Sequence, residues 1–177
     1  MNQQPISSDQ LNQSSLVATF AMSFSAQNYF NQLRRQHFPA ERNHLDAHLT
    51  LFHALPPQSW IIEDMKKLVK NQEPFIATAQ NIVSLGNGTA IKIISPNLAL
   101  IHQILQKKWF DVLSAQDRQR RNFHITIQNK VESQTAKKLQ AEITVEFKPF
   151  DFMIEGIQLW RYMNGPWEFQ NSFDFGS

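Results

Sequence analysis

Two stretches of this chain, "AHLTLFHAL" at 47–55 and "RNFHITIQ" ending at 128, alternate with a period of two, and each carries His-x-Thr followed by an aliphatic residue. That period is what a half-buried β-strand requires, because successive side chains point to opposite faces. His48 and Thr50 therefore share one face, and so do His124 and Thr126. Leu49, Leu51, Ile125 and Ile127 turn the other way, into a core. The fold must cover one side of both strands and leave the histidine side open.

The rest of the chain alternates short strands with helices. "SLVATFAMSF" (15–24) reads as a strand and "SAQNYFNQLRRQHF" (25–38) as a helix, with Ser25 as cap and Pro39 beyond its end. Tyr29, Phe30, Leu33 and His37 form the apolar face of that helix. "QSWIIEDMKKLVKNQ" is a second helix, and Asn87-Gly88 between alternating runs at 75–86 and 89–96 predicts a type I′ hairpin. Residues 97–113 behind Pro96 and 133–147 behind Ser133 read as helices, and the C-terminal stretch as two strands joined at Asn164-Gly165-Pro166. The order is β-α-β-α-β-β-α-β-α-β-β, with a His-x-Thr strand between helices in each half. It predicts an α+β fold in two similar halves.

Composition narrows the function. At 177 residues the chain is read as one domain, 15–177, behind a polar, disordered segment at 1–14. A net charge of +2 gives no case for coating nucleic acid by charge alone, although "DRQRRNFH" places Arg118, Arg120 and Arg121 just before the second motif. Cysteine is absent, which excludes thiolate catalysis and Cys-based metal sites. The N-terminus has neither the basic nor the apolar region of a signal peptide. No run approaches the ~20 apolar residues of a membrane helix. A cytoplasmic monomer without membrane contact is expected.

Two histidines and two threonines around one cleft suit the opening of a cyclic phosphodiester. Histidine, with a pKa of about 6.5, can activate water as a base or protonate a departing oxygen as an acid. Threonine hydroxyls donate to phosphoryl oxygens without adding charge. Either histidine can be the base, with the other as the acid. No metal and no cofactor is expected: His44, His48 and His53 are spaced by four and five residues, which suits a helix better than the predicted strand, and 48 and 53 face opposite sides. His37 and His102 are read as structural.

"HLTL", "HITI", the order of elements and the strand-rich C-terminus resemble the two-histidine phosphoesterase superfamily, from about residue 15 to 177. That group includes 2′-5′ RNA ligase and RNA 2′,3′-cyclic phosphodiesterase enzymes. The resemblance implies a bilobal, pseudo-twofold α+β fold, with two antiparallel sheets lining a central cleft and helices outside. It implies His48 and His124 as the catalytic pair and Thr50 and Thr126 as phosphate ligands. Phe52, Gln128 and Arg121, adjoining the motifs, complete the expected substrate-contacting set. The bacterial RNA-ligase branch commonly has an arginine shortly after the second motif, where this chain reads Gln128-Asn129-Lys130. The expected activity is metal-independent hydrolysis of a 2′,3′-cyclic phosphate, on RNA ends or a small nucleotide, with 2′-5′ joining as the reverse reaction. The alternative is a non-catalytic module that binds a nucleotide or an RNA end.

Overall fold

A computed structural model describes residues 15–177; the segment 1–14, expected to be disordered, lies outside the described residues. Among the described residues seven strands and four helices follow the expected order: β1 (Leu16–Met22), α1 (Phe24–His37), β2 (Leu49–Leu55), α2 (Ser59–Val69), β3 (Phe75–Ser84), β4 (Thr89–Ile94), α3 (Pro96–Trp109), β5 (His124–Gln128), α4 (Ser133–Glu146), β6 (Phe150–Tyr162) and β7 (Trp167–Asp174). No helix among the described residues is long and apolar enough to cross a membrane.

All the strands pair antiparallel, in the order β2-β1-β6-β3-β4-β5, with β7 also on β6. Ile154 of β6 pairs with Met22 of β1 on one edge and with Phe75 of β3 on the other. Gly156 pairs with Ala21 of β1 and with Asp174 of β7 in the same way. A residue has only two edges, so β3 and β7 lie end to end along one side of β6. The two antiparallel halves are thus β2-β1-β6-β7 and β5-β4-β3-β6. They form one continuous sheet because β6, at 13 residues, is long enough to serve both.

The motif strands bury Leu49, Leu51, Ile125 and Ile127 in one core that also holds Ile61 and Met65 of α2 and Leu98, Ile101 and Leu105 of α3. The buried stripe of α1 is Ala26, Phe30 and Arg34, rotated from the predicted face, and Tyr29 is half exposed. An arginine on a buried stripe is tolerated only when its donors are satisfied, and Arg34 meets that condition in the site described below. Ser23, rather than Ser25, flanks the start of α1.

The β3–β4 connection differs from the predicted type I′ turn. Gly86, not Asn87, takes the left-handed conformation (φ 79°), and the Leu85 N–H donates to the Gly88 carbonyl at 2.9 Å. Gly88 is required for another reason: a Cβ there would lie 2.4 Å from the Gln128 carbonyl oxygen of β5.

Candidate active site

Both motif strands break register at the same point. In β2, Thr50 pairs with Thr19 and Phe52 with Ala18, so Leu51 is an extra residue. In β5, Thr126 pairs with Ala90 and Gln128 with Thr89, so Ile127 is an extra residue. One added residue reverses the facing of everything after it. Each strand therefore presents His-x-Thr to the open face and then a bulge that inverts the residue after it; β2 has a further register shift between Phe52 and Leu55.

The bulge corrects three expectations. Phe52 is not on the open face; it is fully buried, with its ring 5.0 Å from His102 and 5.5 Å from Trp109. Gln128 is also buried, and its Oε1 accepts a hydrogen bond from the Thr89 hydroxyl at 3.1 Å. His53 comes round to the side of His48 and Thr50 instead of facing away. His102 is structural as expected, packed between Phe52 and Phe123 with its pKa pushed down to about 4 by burial.

The two motif histidines are held alike. Nδ1 of His48 lies 2.8 Å from the Asp46 carbonyl oxygen, and Nδ1 of His124 lies 2.8 Å from the Asn122 carbonyl oxygen. A carbonyl only accepts, so Nδ1 carries the proton in both rings and Nε2 is left for a ligand. The pKa of His48 is pushed down to about 4, mainly by burial and further by the charges of Arg34, His124 and His53. That of His124 is lowered too, by burial and then by Arg121 and His53. His48 feels the charge on His124, so the rings share one electrostatic neighbourhood. The hydroxyls of Thr50 and Thr126 have no hydrogen-bond partner among the described residues, although Thr50 is 7% exposed.

Two arginines tie the end strands together. Arg121 donates from Nε to the Thr50 carbonyl at 3.1 Å, with its Nη atoms 2.9 and 3.2 Å from the ring nitrogens of His53. All three of its nitrogens meet protein, and the His53 ring that two of them meet lies on the side of His48 and Thr50. From the other half, Arg34 donates from Nη1 to the Thr126 carbonyl at 2.9 Å and from Nε to Asn43 at 3.1 Å. Its pKa falls to about 10 by burial, against the pull of Asp46, so it stays cationic at neutral pH. Among the described residues its Nη2 has no hydrogen-bond partner, and the residue lines two cavities that meet at His48.

Sequence reasoning missed Arg34, the His53–Asp117 pair and a tryptophan wall. Asp117, 2% exposed, accepts hydrogen bonds from the His53 amide at 2.9 Å, the Ala54 amide at 2.9 Å and the Ser114 hydroxyl at 3.2 Å. Burial alone would raise its pKa, but the His53 side chain and those amides hold the carboxyl below its usual range. Asp117→Asn would turn an amide N–H toward backbone donors, so it is expected to destabilise the fold by about 2–3 kcal/mol in urea denaturation. An unchanged midpoint would show that the carboxylate does not hold this edge of β2.

The first cavity, about 570 Å³, lies between α1, the 43–48 loop and the open face of β1, β6 and β7. Register aligns Thr50, Thr19 and Gln158 in a polar row across three strands. Trp167 stands at its head, ring centroid 4.5 Å from that of His48, and the Trp160 Nε1–H donates to the Thr19 hydroxyl at 2.9 Å. The second cavity, also about 570 Å³, joins His48 to Thr126 of the other half. Among the described residues no group of three or more His, Asp or Glu side chains converges as a metal site. The arrangement offers two ring nitrogens, two hydroxyls and one guanidinium to an anion, beside a flat aromatic surface.

The fold is similar to that of TT0787 from Thermus thermophilus, with a TM-score of 0.64 at 13% identity, covering 92% of this chain and 98% of that one. It is also similar to E. coli LigT solved with NADP+ (TM-score 0.58, 16% identity, 93% and 99% covered) and with 3′-AMP (TM-score 0.58, 14% identity, 93% and 99% covered). A search of curated proteins found no match. The profile of the 2′-5′ RNA ligase superfamily matches residues 22–166, a stretch that contains both His-x-Thr strands, α1 with Arg34 and the shared strand β6, and the chain belongs to that superfamily.

Proposed function

We propose that this chain is a metal-independent phosphodiesterase that opens a 2′,3′-cyclic phosphate, on an RNA end or a small nucleotide, by two-histidine acid–base catalysis. The observation that carries this reading is the duplicated histidine setting: each Nδ1–H is fixed by the carbonyl two residues earlier, which leaves two Nε2 atoms for proton transfer. A bound phosphate raises the proton affinity of the pair. We assign that proton to His124 and the neutral ring to His48, which burial pushes down to about 4.

His48 Nε2 then takes a proton from water as the water oxygen bonds to phosphorus. The P–O bond to one ribose oxygen breaks, and His124 Nε2 supplies the proton that oxygen needs. Thr50 and Thr126 donate to the non-bridging oxygens, and Arg34 offsets the charge that builds on them. The product is a ribose phosphomonoester. With a 5′-hydroxyl in place of water, the same groups give 2′-5′ joining: one histidine takes the hydroxyl proton as its oxygen bonds to phosphorus, and the other protonates the 3′ oxygen that departs. The nucleotides solved in E. coli LigT, 3′-AMP, ATP and NADP+, support a nucleotide ligand here.

The test is turnover of 2′,3′-cyclic mononucleotides in EDTA, followed against pH. The base must be neutral, so kcat/KM rises as pH passes upward through the lower apparent pKa of the pair; the acid must be protonated, so it falls above the higher one. Both histidines lie below 6.5 in the free protein, which puts the maximum of kcat/KM on the acid side of that value. The kcat profile is displaced to higher pH, because bound phosphate raises both affinities. Loss of turnover in EDTA, or a kcat/KM profile that is flat between about pH 5 and 8, contradicts the mechanism.

A further inference from the structure

The two cavities share Arg34, His44, Leu45 and His48 and then diverge. The first leads to Trp160, Trp167 and Gln158, flat faces and an amide suited to a nucleobase. The second leads past Thr126 to Arg42 and Lys130 and has no carboxylate in its lining. A nucleoside cyclic phosphate seated at His48 thus has one direction for its base and a cationic one for its 5′ substituent. We infer that Arg42 and Lys130 form a second phosphate subsite, which takes the phosphate on the 5′ oxygen of the nucleoside whose cyclic phosphate reacts. This inference rests on the proposed phosphodiesterase reading.

Among the described residues neither Arg42 nor Lys130 pairs with a carboxylate, so both charges are open to an anion, as are those of most other lysines and arginines. Two features mark this end of the groove as built. Arg42 Nη1 donates to the Lys130 carbonyl at 3.0 Å, so the loop after α1 meets the end of β5 and both cations are held at one place. Lys130 is left-handed, with φ 58°, a conformation disfavoured for a residue with a Cβ. Its own N–H donates to Asn129 Oδ1 at 2.8 Å, so bonds at both ends of the residue keep it there. A lysine serving only solubility has no need of such a clamp. The shared ligand chemistry is a second phosphate ester, found both in an RNA chain and in a 5′-phosphorylated nucleotide.

The experiment compares uridine 2′,3′-cyclic phosphate, the same compound with a 5′-phosphate, and a uridine dinucleotide ending in a 2′,3′-cyclic phosphate. The second phosphate is expected to raise kcat/KM by roughly 10–100-fold, the range for charge-assisted hydrogen bonds, chiefly through KM. Lys130→Gln and Arg42→Gln should each bring the ratio between phosphorylated and unphosphorylated substrates toward one, and added salt should shrink it. A gain for the dinucleotide equal to that for the 5′-monoester identifies an RNA chain as the source; a gain confined to the monoester identifies a small nucleotide. Equal kcat/KM with and without the second phosphate, or a ratio that neither substitution changes, overturns the subsite. If no substrate turns over, the phosphodiesterase reading fails, and calorimetry with adenosine 3′,5′-bisphosphate against adenosine 3′-monophosphate decides the subsite. A tighter bisphosphate that depends on Lys130 supports it, and equal affinities overturn it.

Discussion

His48→Ala and His124→Ala are each expected to lower kcat/KM for a 2′,3′-cyclic nucleotide by roughly 10²–10⁴-fold, the contribution of a positioned acid or base. The double variant should be little worse than either single one, because proton removal and proton delivery serve one transition state. Each ring hangs from a single carbonyl bond of 2.8 Å, so alanine removes a side chain without freeing a buried partner, and stability should hardly change. An activated ester whose leaving group departs without a proton separates the roles. It should restore turnover to His124→Ala and not to His48→Ala, since His48 is the ring held neutral at about 4. Rescue of His48→Ala alone reverses the assignment, and full activity in either single variant ends the two-histidine mechanism.

The second large effect is expected at Arg34. Among the described residues it is the one guanidinium that is buried, lines both cavities beside His48 and keeps an Nη group without a hydrogen-bond partner. In the cyclic phosphate reaction that group faces the developing charge, and Arg34→Met should lower kcat/KM by roughly 10²–10³-fold, as for loss of one oxyanion donor. Methionine also breaks the bonds to Thr126 and Asn43, so a fall in stability accompanies the kinetic loss. Arg34→Lys separates the two. A lysine keeps the charge but cannot bond Thr126, Asn43 and phosphate in one plane, so activity should recover only partly even where the melting temperature returns. Wild-type kcat/KM in Arg34→Lys would reduce Arg34 to a source of charge, and in Arg34→Met to a structural brace.

The order of elements was legible because each strand and helix carries its own periodicity, and His-x-Thr stood out because it occurs twice in equivalent places. The site beyond those four residues was not, for a local reason. Strict alternation puts Phe52 with His48 and His53 against it, and the bulge at Leu51 reverses both. Leu51-Phe52 does set two large apolar side chains in succession, but so does Ile93-Ile94 in a stretch of β4 with regular register, so the bulge had no distinct local signal. Arg34 was hidden differently. A helix pattern reports where hydrophobic residues want to be, and nothing local marks an arginine whose partners are a loop asparagine and a carbonyl 92 residues away. The Asn87-Gly88 signal was sound chemistry applied one step too far along, because the close approach of Gln128 claims Gly88 and leaves Gly86 to make the turn.

The strand common to both halves, β6, limits how this protein can move. Two lobes joined by a flexible linker can swing open and shut like jaws, with a few backbone torsions absorbing the rotation. Here the equivalent rotation would have to peel β1 and β7 from one end of β6, or β3 from the other. The histidines sit on the outermost strands of a single bent plate, and their separation is a property of its curvature. The width of the gap between them is thus fixed by the sheet, and adjustment to any ligand would fall to the side chains and loops along the rim.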